Sequence, residues 1–207
     1  MFRRVAGPIT CCLLLSWGVV AAPRKDDPAS SYYLASKIGD KWVMAMDDGD
    51  QRWENVVEVT EVRQQDDILV VKLRDPSDTG GPCRFEVSNR GVYKVTEGVD
   101  GGRFCYVRLP FNKGDTWETT AKNRLGDTVI MRYTSAGEEE IEVPAGKFRC
   151  LRVEEECVVR GVTWTASHWM APRVGTVKSV LVGKDGEGKL ADYVCFCVLK
   201  SFTAGSK

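Results

Sequence analysis

The sequence lacks most of the features by which an enzyme or a nucleic-acid-binding protein is recognised. It has one histidine in 207 residues, so a pair of histidine metal ligands or a triad with a spare base is hard to assemble. No Gly-x-Ser-x-Gly elbow, His-Glu-x-x-His pair or P-loop occurs. The 29 basic and 29 acidic residues balance, which leaves no cationic excess to bind a phosphate backbone. We therefore predict no nucleic-acid partner, no metal and no cofactor.

The chain also lacks an apolar run long enough to cross a bilayer core, which takes roughly 20 residues. It opens instead with Arg3 and Arg4, an uncharged stretch over 5–20 and small residues around Ala21. This is the pattern of a secretory signal, and cleavage after Ala21 keeps Pro23 away from the scissile bond. A retained membrane anchor is the alternative, and Pro8 and the brevity of the run count against it.

These features predict a signal-peptide helix over residues 1–21, a flexible tether over 22–30 and no transmembrane segment after cleavage. The sequence has no Asn-x-Ser/Thr sequon, which favours a bacterial envelope over a eukaryotic secretory route. We expect an exported bacterial protein, either periplasmic or secreted.

Cysteine, by contrast, is abundant. Six cysteines follow the signal: Cys83, Cys105, Cys150, Cys157, Cys195 and Cys197. An even number in an exported chain permits complete pairing into disulfides, whereas the alternative is that several are small apolar core residues. No pair has the Cys-x-x-Cys spacing of a zinc ribbon or a redox site. The sequence leaves the pairing open.

Beyond the tether, short β-rich runs alternate with residues that favour tight hairpin turns, such as Asp48-Gly49, Asn89-Arg90-Gly91 and Lys113-Gly114-Asp115. No segment has sustained 3.6-residue periodicity. The runs predict an all-β domain over residues 31–202 and a C-terminal tail over 203–207. Residues 128–134 and 139–143 are predicted as two separate strands. Regular short strands with turns between them indicate a curved antiparallel sheet or half-open barrel of about 12 strands.

Alternation within two runs locates a candidate binding site. In residues 162–170 the even positions carry Trp164, His168 and Met170, and the odd positions are mostly hydroxyl residues, as in a half-buried strand with one wet face. The run over 193–199 is apolar on both faces, so we expect both to be covered. A curled sheet with a ligand-holding interior satisfies this, with Trp164, His168, Met170 and Tyr193 as its candidate lining.

The sequence contains an internal echo. Residues 34–42 and 109–117 share Leu, Gly, Asp and Trp at identical spacing. We interpret each copy as a Gly-Asp turn that starts a strand, with a Trp two residues later anchored in the core. Two copies suggest two related sheet halves, and chance similarity between turns is the alternative.

Three stretches resemble a known family in their order and content: Tyr32-Tyr33-Leu34 running into Gly39-Asp40-Lys41-Trp42, Val143-Pro144-Ala145-Gly146-Lys147-Phe148, and Trp169-Met170-Ala171-Pro172-Arg173-Val174-Gly175-Thr176-Val177-Lys178. They are similar to the TapB-like group of exported bacterial domains of unknown function. The resemblance implies a curved antiparallel sheet like that of periplasmic lipoprotein carriers, and no known activity. Arg173 replaces a Gly of the pattern, so a turn that relies on Gly must accept a side chain.

Few residues offer chemistry. His168 is more simply a core or cavity-wall residue than a catalytic base, and Glu155 is the acid that shares a register with the apolar side of its strand. The acid-rich turn Asp47-Asp48-Gly49-Asp50 does not follow the spacing of a calcium loop. Glu138–Glu140 and Glu154–Glu156 are best explained as cross-strand partners of nearby arginines.

We therefore predict a non-enzymatic exported domain that binds an apolar small molecule, a lipid or an envelope protein. A secreted hydrolase that uses His168 with an acidic residue is the second hypothesis, and a purely structural envelope component is the third.

Overall fold

The computed structural model describes residues 33–76, 83–95, 102–122, 128–159, 162–184 and 190–205, with the backbone alone at 121, 122, 184 and 190–193. The predicted signal peptide and the predicted tether therefore lie outside the described residues. The described chain forms twelve strands. They are β1 (Lys41–Asp47), β2 (Arg52–Gln65), β3 (Ile68–Arg74), β4 (Cys83–Ser88), β5 (Gly91–Val95), β6 (Arg103–Arg108), β7 (Thr116–Lys122), β8 (Thr128–Val143), β9 (Gly146–Val159), β10 (Val162–Ala171), β11 (Gly175–Lys184) and β12 (Leu190–Thr203).

All twelve strands belong to one antiparallel sheet, in the order β6-β5-β4-β3-β2-β1-β12-β11-β10-β9-β8-β7. β6 and β7 stand at the two ends of this order. The side chains of Trp117 and Thr119 on β7 hydrogen bond to the backbone of Cys105 on β6, so the ends meet and the sheet curls into a nearly closed barrel. The predicted all-β class and the curved antiparallel sheet of about 12 strands are confirmed.

One predicted break between strands is wrong. Residues 128–134 and 139–143 belong to the single strand β8, which runs along β9 from Ile130 to Val143. The register shifts between Ser135 and Gly137, and Gly137 has a φ of 94°. A β-bulge absorbs the turn-like residues at this point and bends the strand without ending it.

The internal echo corresponds to two turns with the same hydrogen bonds. In the first, Gly39 N–H donates to the Val59 carbonyl (2.9 Å) and Val59 N–H donates to the Asp40 carbonyl (2.8 Å). The Asp40 carboxylate also accepts the Lys37 N–H at 2.8 Å.

In the second turn, Gly114 N–H donates to the Ser135 carbonyl (2.7 Å) and Ser135 N–H donates to the Asp115 carbonyl (2.8 Å). The Asp115 carboxylate accepts the Asn112 N–H at 2.7 Å. Both turns have a glycine with positive φ, 83° at Gly39 and 91° at Gly114. The barrel thus consists of two six-stranded meanders, β1–β6 and β7–β12, each started by the same turn.

The core lies inside the barrel and is most tightly filled by aliphatic side chains. Val59, Val71, Val87, Val92, Val107, Leu151, Val177 and Leu199 are fully buried. Trp42 and Trp117, the tryptophans of the two echoed turns, are 5% and 8% exposed. Their predicted role as core anchors is confirmed.

Strand β12 buries one face only. Leu199 is fully buried and Cys195 is 8% exposed, whereas Phe196 on the other face is 47% exposed. The expectation that both faces of this strand are covered is therefore wrong at Phe196. The inner face packs into the barrel, and nothing in the described chain lies over the outer one at that residue.

None of the six described cysteines is in a disulfide. Burial raises the pKa of Cys157 to about 11, that of Cys150 to about 12 and that of Cys197 to about 12. Thiols with such pKa values stay protonated near neutral pH and react slowly as nucleophiles. The sequence left open whether the cysteines form disulfides or are small core residues. In the structure they are small side chains of the barrel.

No helix among the described residues is both long enough and apolar enough to span a membrane.

Candidate functional site

A polar cluster interrupts the apolar interior on the strands β9, β10 and β11. His168 and Ser179 are cross-strand partners, and the hydroxyl of Ser179 lies 3.1 Å from His168 Nδ1. The other ring nitrogen, Nε2, lies 3.2 Å from a carboxylate oxygen of Glu155. Because β10 pairs in an unbroken register with β9, Glu155 and His168 point into the barrel from neighbouring strands.

A tyrosine on β6, a strand that does not neighbour β9, β10 or β11, completes the cluster. Tyr106 on β6 places its hydroxyl 3.3 Å from His168 Nδ1, and the two rings meet edge to face with centroids 5.4 Å apart. β6 and β10 share no ladder, so this contact crosses the interior. The His168 and Glu155 side chains are 12% and 18% exposed. The cluster, named here the inner cluster (Tyr106, Glu155, His168 and Ser179), is therefore reached by solvent.

Burial controls the ionisation of the tyrosines around the inner cluster. Desolvation raises the pKa of Tyr106 well above its usual range. It does the same for Tyr133, where the negative charge of Glu155 adds to the effect. Both phenols remain neutral and can act as hydrogen-bond donors.

The four predicted lining residues are described only in part. His168 is in the inner cluster, and Trp164 is half-buried on the same strand face. Met170 is 1% exposed and packs in the core. The side chain of Tyr193 lies outside the described residues. A cavity lined by all four therefore stays a prediction.

The junction of β6 and β7, named here the seam, differs from every other strand junction in the described sheet because no ladder joins the two strands. Trp117 donates its indole N–H to the Cys105 carbonyl at 2.9 Å, and the Cys105 N–H donates to the Thr119 hydroxyl at 3.2 Å. Trp117 also stacks on Tyr133, with centroids 5.5 Å apart. At the seam, hydrogen bonds from side chains thus join the two strands, whereas backbone hydrogen bonds join the other neighbouring strands.

A groove lies at the seam. Its volume is about 390 Å³, within the range of small-molecule sites. Its lining residues are Arg90, Tyr93, Cys105, Arg108, Leu109, Trp117 and Glu118. A second concavity of about 280 Å³ shares Arg108 and Leu109 and continues along Pro110, Asp115 and Thr116. We call the two together the seam groove. Neither concavity is lined by Trp164, His168 or Met170.

Sequence reasoning missed the seam groove. Its arginines stand at the end of a turn and at the end of a strand, 18 positions apart in the sequence, and neither lies in a recognisable motif. The one available signal was the repeat at Trp117, which marks the start of the second half of the sheet and therefore an edge.

The acid-rich segments have structural roles, as the sequence reasoning favoured. In the Asp47–Asp50 turn, Asp47 accepts the Gly49 N–H (2.9 Å) and the Arg52 side chain (2.7 Å). The glutamates of β8 and β9 form the predicted cross-strand pairs, among them Arg149 with Glu138 and Arg152 with Glu139. Among the described residues, no three His, Cys, Asp or Glu side chains converge as a metal site would require.

Comparison with known proteins gives a partial family match. Residues 115–193, which run from the second Gly-Asp turn into β12, match the model of the DUF3108-like family. No curated protein matches the sequence. The finer resemblance to the TapB-like group stays a prediction.

Two solved structures share the fold. One is described as a lipoprotein from Parabacteroides distasonis, with a TM-score of 0.55 and 18% identity, covering 83% of this chain and 98% of that one. The other is described as an exported protein with a YmcC-like fold from Bacteroides fragilis, with a TM-score of 0.54 and 15% identity, covering 83% of this chain and 99% of that one. At these identities the similarity concerns the fold.

Proposed function

We propose that this chain is an exported, non-enzymatic β-barrel domain of the bacterial envelope, periplasmic or secreted, that binds a small amphiphilic ligand at the seam. The seam groove carries this proposal, because a concavity of about 390 Å³ coincides with the one strand junction of the described sheet that lacks a ladder. A side-chain-bridged junction separates more easily than a laddered one, since fewer backbone hydrogen bonds must break.

The groove and the inner cluster adjoin across the barrel wall. Cys105 lines the groove, and its neighbour Tyr106 points inward to His168. Trp117 lines the groove and stacks on Tyr133. A ligand seated at the seam therefore contacts the residues that join the outer surface to the polar interior. This favours a small ligand over an envelope protein as the occupant.

Export is supported by the N-terminal signal pattern. The descriptions of the two structural neighbours, a lipoprotein and an exported protein, agree with it. Localisation is tested by fractionating cells that make the full chain and by determining the N-terminus of the mature protein. Cleavage after Ala21 and absence from the cytoplasm are expected, and an uncut chain in the cytoplasm contradicts export.

Ligand binding is tested by native mass spectrometry of the protein purified from the envelope under mild conditions. We expect a co-purifying molecule at near-stoichiometric yield. The variant Thr116→Trp, which fills the groove from its exposed wall, should lose the molecule, and Thr128→Trp, at an exposed position at the start of the neighbouring strand, is the matched control. A mature protein without bound molecules favours the purely structural role.

The inner cluster also favours one alternative, a hydrolase, because Ser179, His168 and Glu155 are connected in the order nucleophile, base and acid. Acyl transfer further needs backbone N–H groups aimed at the developing oxyanion. Ser179 lies within β11 between β10 and β12. N–H groups of a strand with two neighbours lie in the plane of the sheet, whereas the hydroxyl stands out of it. The geometry therefore lacks an oxyanion hole at Ser179.

The hydrolase hypothesis is tested with short-chain p-nitrophenyl esters. The wild-type protein and Ser179→Ala should both hydrolyse them at the background rate. A rate above background that Ser179→Ala abolishes, with unchanged thermal stability, would establish the enzyme and overturn the non-enzymatic proposal.

A further inference from the structure

The seam groove contains two arginines, Arg90 and Arg108. Eight other arginines on the described strands each pair with an acid: Arg52, Arg63, Arg74, Arg84, Arg103, Arg132, Arg149 and Arg152. Arg90 and Arg108 form no such pair with a described residue, and both line the same concavity. Two guanidinium groups in one groove, neither of them in an ion pair with a described carboxylate, are a feature that an anionic ligand would complement.

The fold holds these two arginines side by side. Arg108 pairs in the ladder with Gly91, the neighbour of Arg90, and the Leu109 N–H donates to the Arg90 carbonyl at 2.9 Å. Gly91 is required for this approach, because a Cβ there would lie 2.0 Å from the Val107 carbonyl oxygen. The β4–β5 turn and the end of β6 are thereby fixed against each other, so the backbone positions of Arg90 and Arg108 do not depend on a flexible loop.

The acidic residues of the groove are already engaged. Glu118 forms an ion pair with Arg132 at 3.1 Å, on the strand beside it. The Asp115 carboxylate accepts the N–H of Asn112 at 2.7 Å in the second Gly-Asp turn. Arg103, next to the groove, is paired with Glu86 and lies over the Tyr93 ring. Arg90 and Arg108 are thus the groove cations that no described ion pair neutralises, while Asp115 in the second concavity keeps its negative charge.

The rest of the groove is not suited to a bare ion alone. Leu109 and Trp117 supply apolar surface, Pro110 extends it along the second concavity, and Tyr93 adds an aromatic ring. Guanidinium forks bind the oxygens of a phosphate or carboxylate in a bidentate manner, and the adjacent surface can cover an apolar body.

We propose that the seam groove is an oxyanion site in which Arg90 and Arg108 bind the phosphate or carboxylate group of the ligand. This inference rests on the proposed function and gives the ligand its chemical class. The same oxyanion chemistry is offered by the head of an anionic lipid and by free phosphate, and the two sources differ in whether Leu109 and Trp117 are covered.

Two probes separate the sources. Dihexanoyl phosphatidate, kept below its critical micelle concentration, carries the anion and an apolar body, and inorganic phosphate carries the anion alone. Binding is followed by tryptophan fluorescence and by isothermal titration calorimetry at low and high salt. We expect saturable binding that weakens as salt rises. A stronger response to the phosphatidate identifies a lipid head as the ligand, and equal responses identify a free anion.

The double variant Arg90→Gln/Arg108→Gln should reduce the affinity by about ten-fold or more, since each lost charge-assisted contact alone approaches that factor. The matched control Arg52→Gln/Arg63→Gln removes the same charge from exposed arginines outside the groove and should leave binding within about two-fold. Circular dichroism and the melting temperature show whether each variant is folded. Equal losses in the two double variants would mean non-specific electrostatics and would overturn the site.

Failure of this inference can be told apart from failure of the proposed function. If the molecule that co-purifies with the native protein is retained at full yield by Arg90→Gln/Arg108→Gln, the oxyanion site is wrong and ligand binding stands. If neither probe binds and no molecule co-purifies with the wild-type protein, both are wrong.

Discussion

At the scale of single residues, Arg173 shows how a sequence departure becomes backbone strain. The TapB-like pattern has Gly at this position, and the structure gives Arg173 a φ of 61° in the β10–β11 turn. A residue with a Cβ costs roughly 1–2 kcal/mol in this left-handed region. Two contacts stabilise the turn despite this strain. The Val174 carbonyl accepts the Trp42 indole N–H at 2.6 Å, and Gly175, with a φ of 91°, packs against Leu34.

Arg173→Gly is therefore expected to stabilise the protein by about 1 kcal/mol, the relief of strain less the extra freedom of Gly in the unfolded chain. Urea unfolding measures it. Arg173→Ala is the control, since it shortens the side chain and keeps the Cβ. If the Ala variant is stabilised as much as the Gly variant, the long side chain and not the backbone is the source of the strain.

His168 illustrates a different limit at this scale. Its position on the apolar side of β10 was visible in the sequence, as was the register of Glu155 on the preceding run. The sequence did not show that Tyr106 and Ser179 reach the same imidazole ring. The contact of Tyr106 crosses the barrel, and that of Ser179 depends on the exact pairing of β10 with β11. Side-chain alternation fixes the face of a strand, but it does not fix which strands face each other.

At the scale of elements, the two echoed turns start strands with different neighbours. Trp42 lies on β1, which pairs with β2 and β12. Trp117 lies on β7, which pairs with β8 alone. The same Gly-Asp-x-Trp sequence thus begins a laddered strand in one half of the barrel and an edge strand in the other. The indole N–H of each binds a distant carbonyl, at Val174 and at Cys105.

Trp117→Phe removes the indole hydrogen bond at the seam and should cost about 1 kcal/mol or somewhat more, since the Cys105 carbonyl loses a partner. We expect amide hydrogen exchange in β6 and β7 to become faster than in the other strands, because side chains are what close this junction.

Trp42→Phe is the matched control for the seam. It removes a buried indole hydrogen bond of the same kind, while β1 keeps both of its ladders. In this variant the rate of amide hydrogen exchange should rise evenly through the sheet. Local opening of β1 and β12 in this variant, or none of β6 and β7 in Trp117→Phe, would contradict the weak seam.

At the scale of the whole molecule, the enclosed thiols and phenols make stability depend on alkaline pH. Burial raises the pKa of Cys157 from 9.0 to about 11 and that of Cys197 from 9.0 to about 12, and it raises the pKa of Tyr33, Tyr106 and Tyr133 above their ordinary 10.0. The folded chain therefore holds these protons to a higher pH than the unfolded chain does.

The unfolded chain binds fewer protons once its thiols begin to ionise, so the free energy of unfolding must fall as the pH rises from about 8 toward 12. Near pH 7 these groups are protonated in both states and contribute no slope. Urea midpoints measured between pH 8 and 11 check this. Cys157→Ala/Cys197→Ala should show a flatter decline between pH 8 and 9, where tyrosines with an ordinary pKa of 10.0 have barely begun to titrate in the unfolded chain. An unchanged slope would mean that other groups cause the decline.

Much of the architecture was already determined by the sequence alone. Turn residues and two-residue alternation are local properties, and they placed the strands, the turn at Arg173 and the anchors Trp42 and Trp117. Where such local signals misled, the cause was a neighbour: a partner strand carried β8 through its bulge at Gly137, and the absence of a covering layer left Phe196 exposed.

Only the tertiary structure decided which distant residues meet. The closure of the sheet brought β6 against β7, and with it Arg90, Arg108 and Trp117 into one groove and Tyr106 onto His168. The physical reason is that strand order and curvature depend on the summed pairing and twist of all twelve strands. Local sequence encodes each strand, but the seam exists only where the two ends of the whole sheet come together.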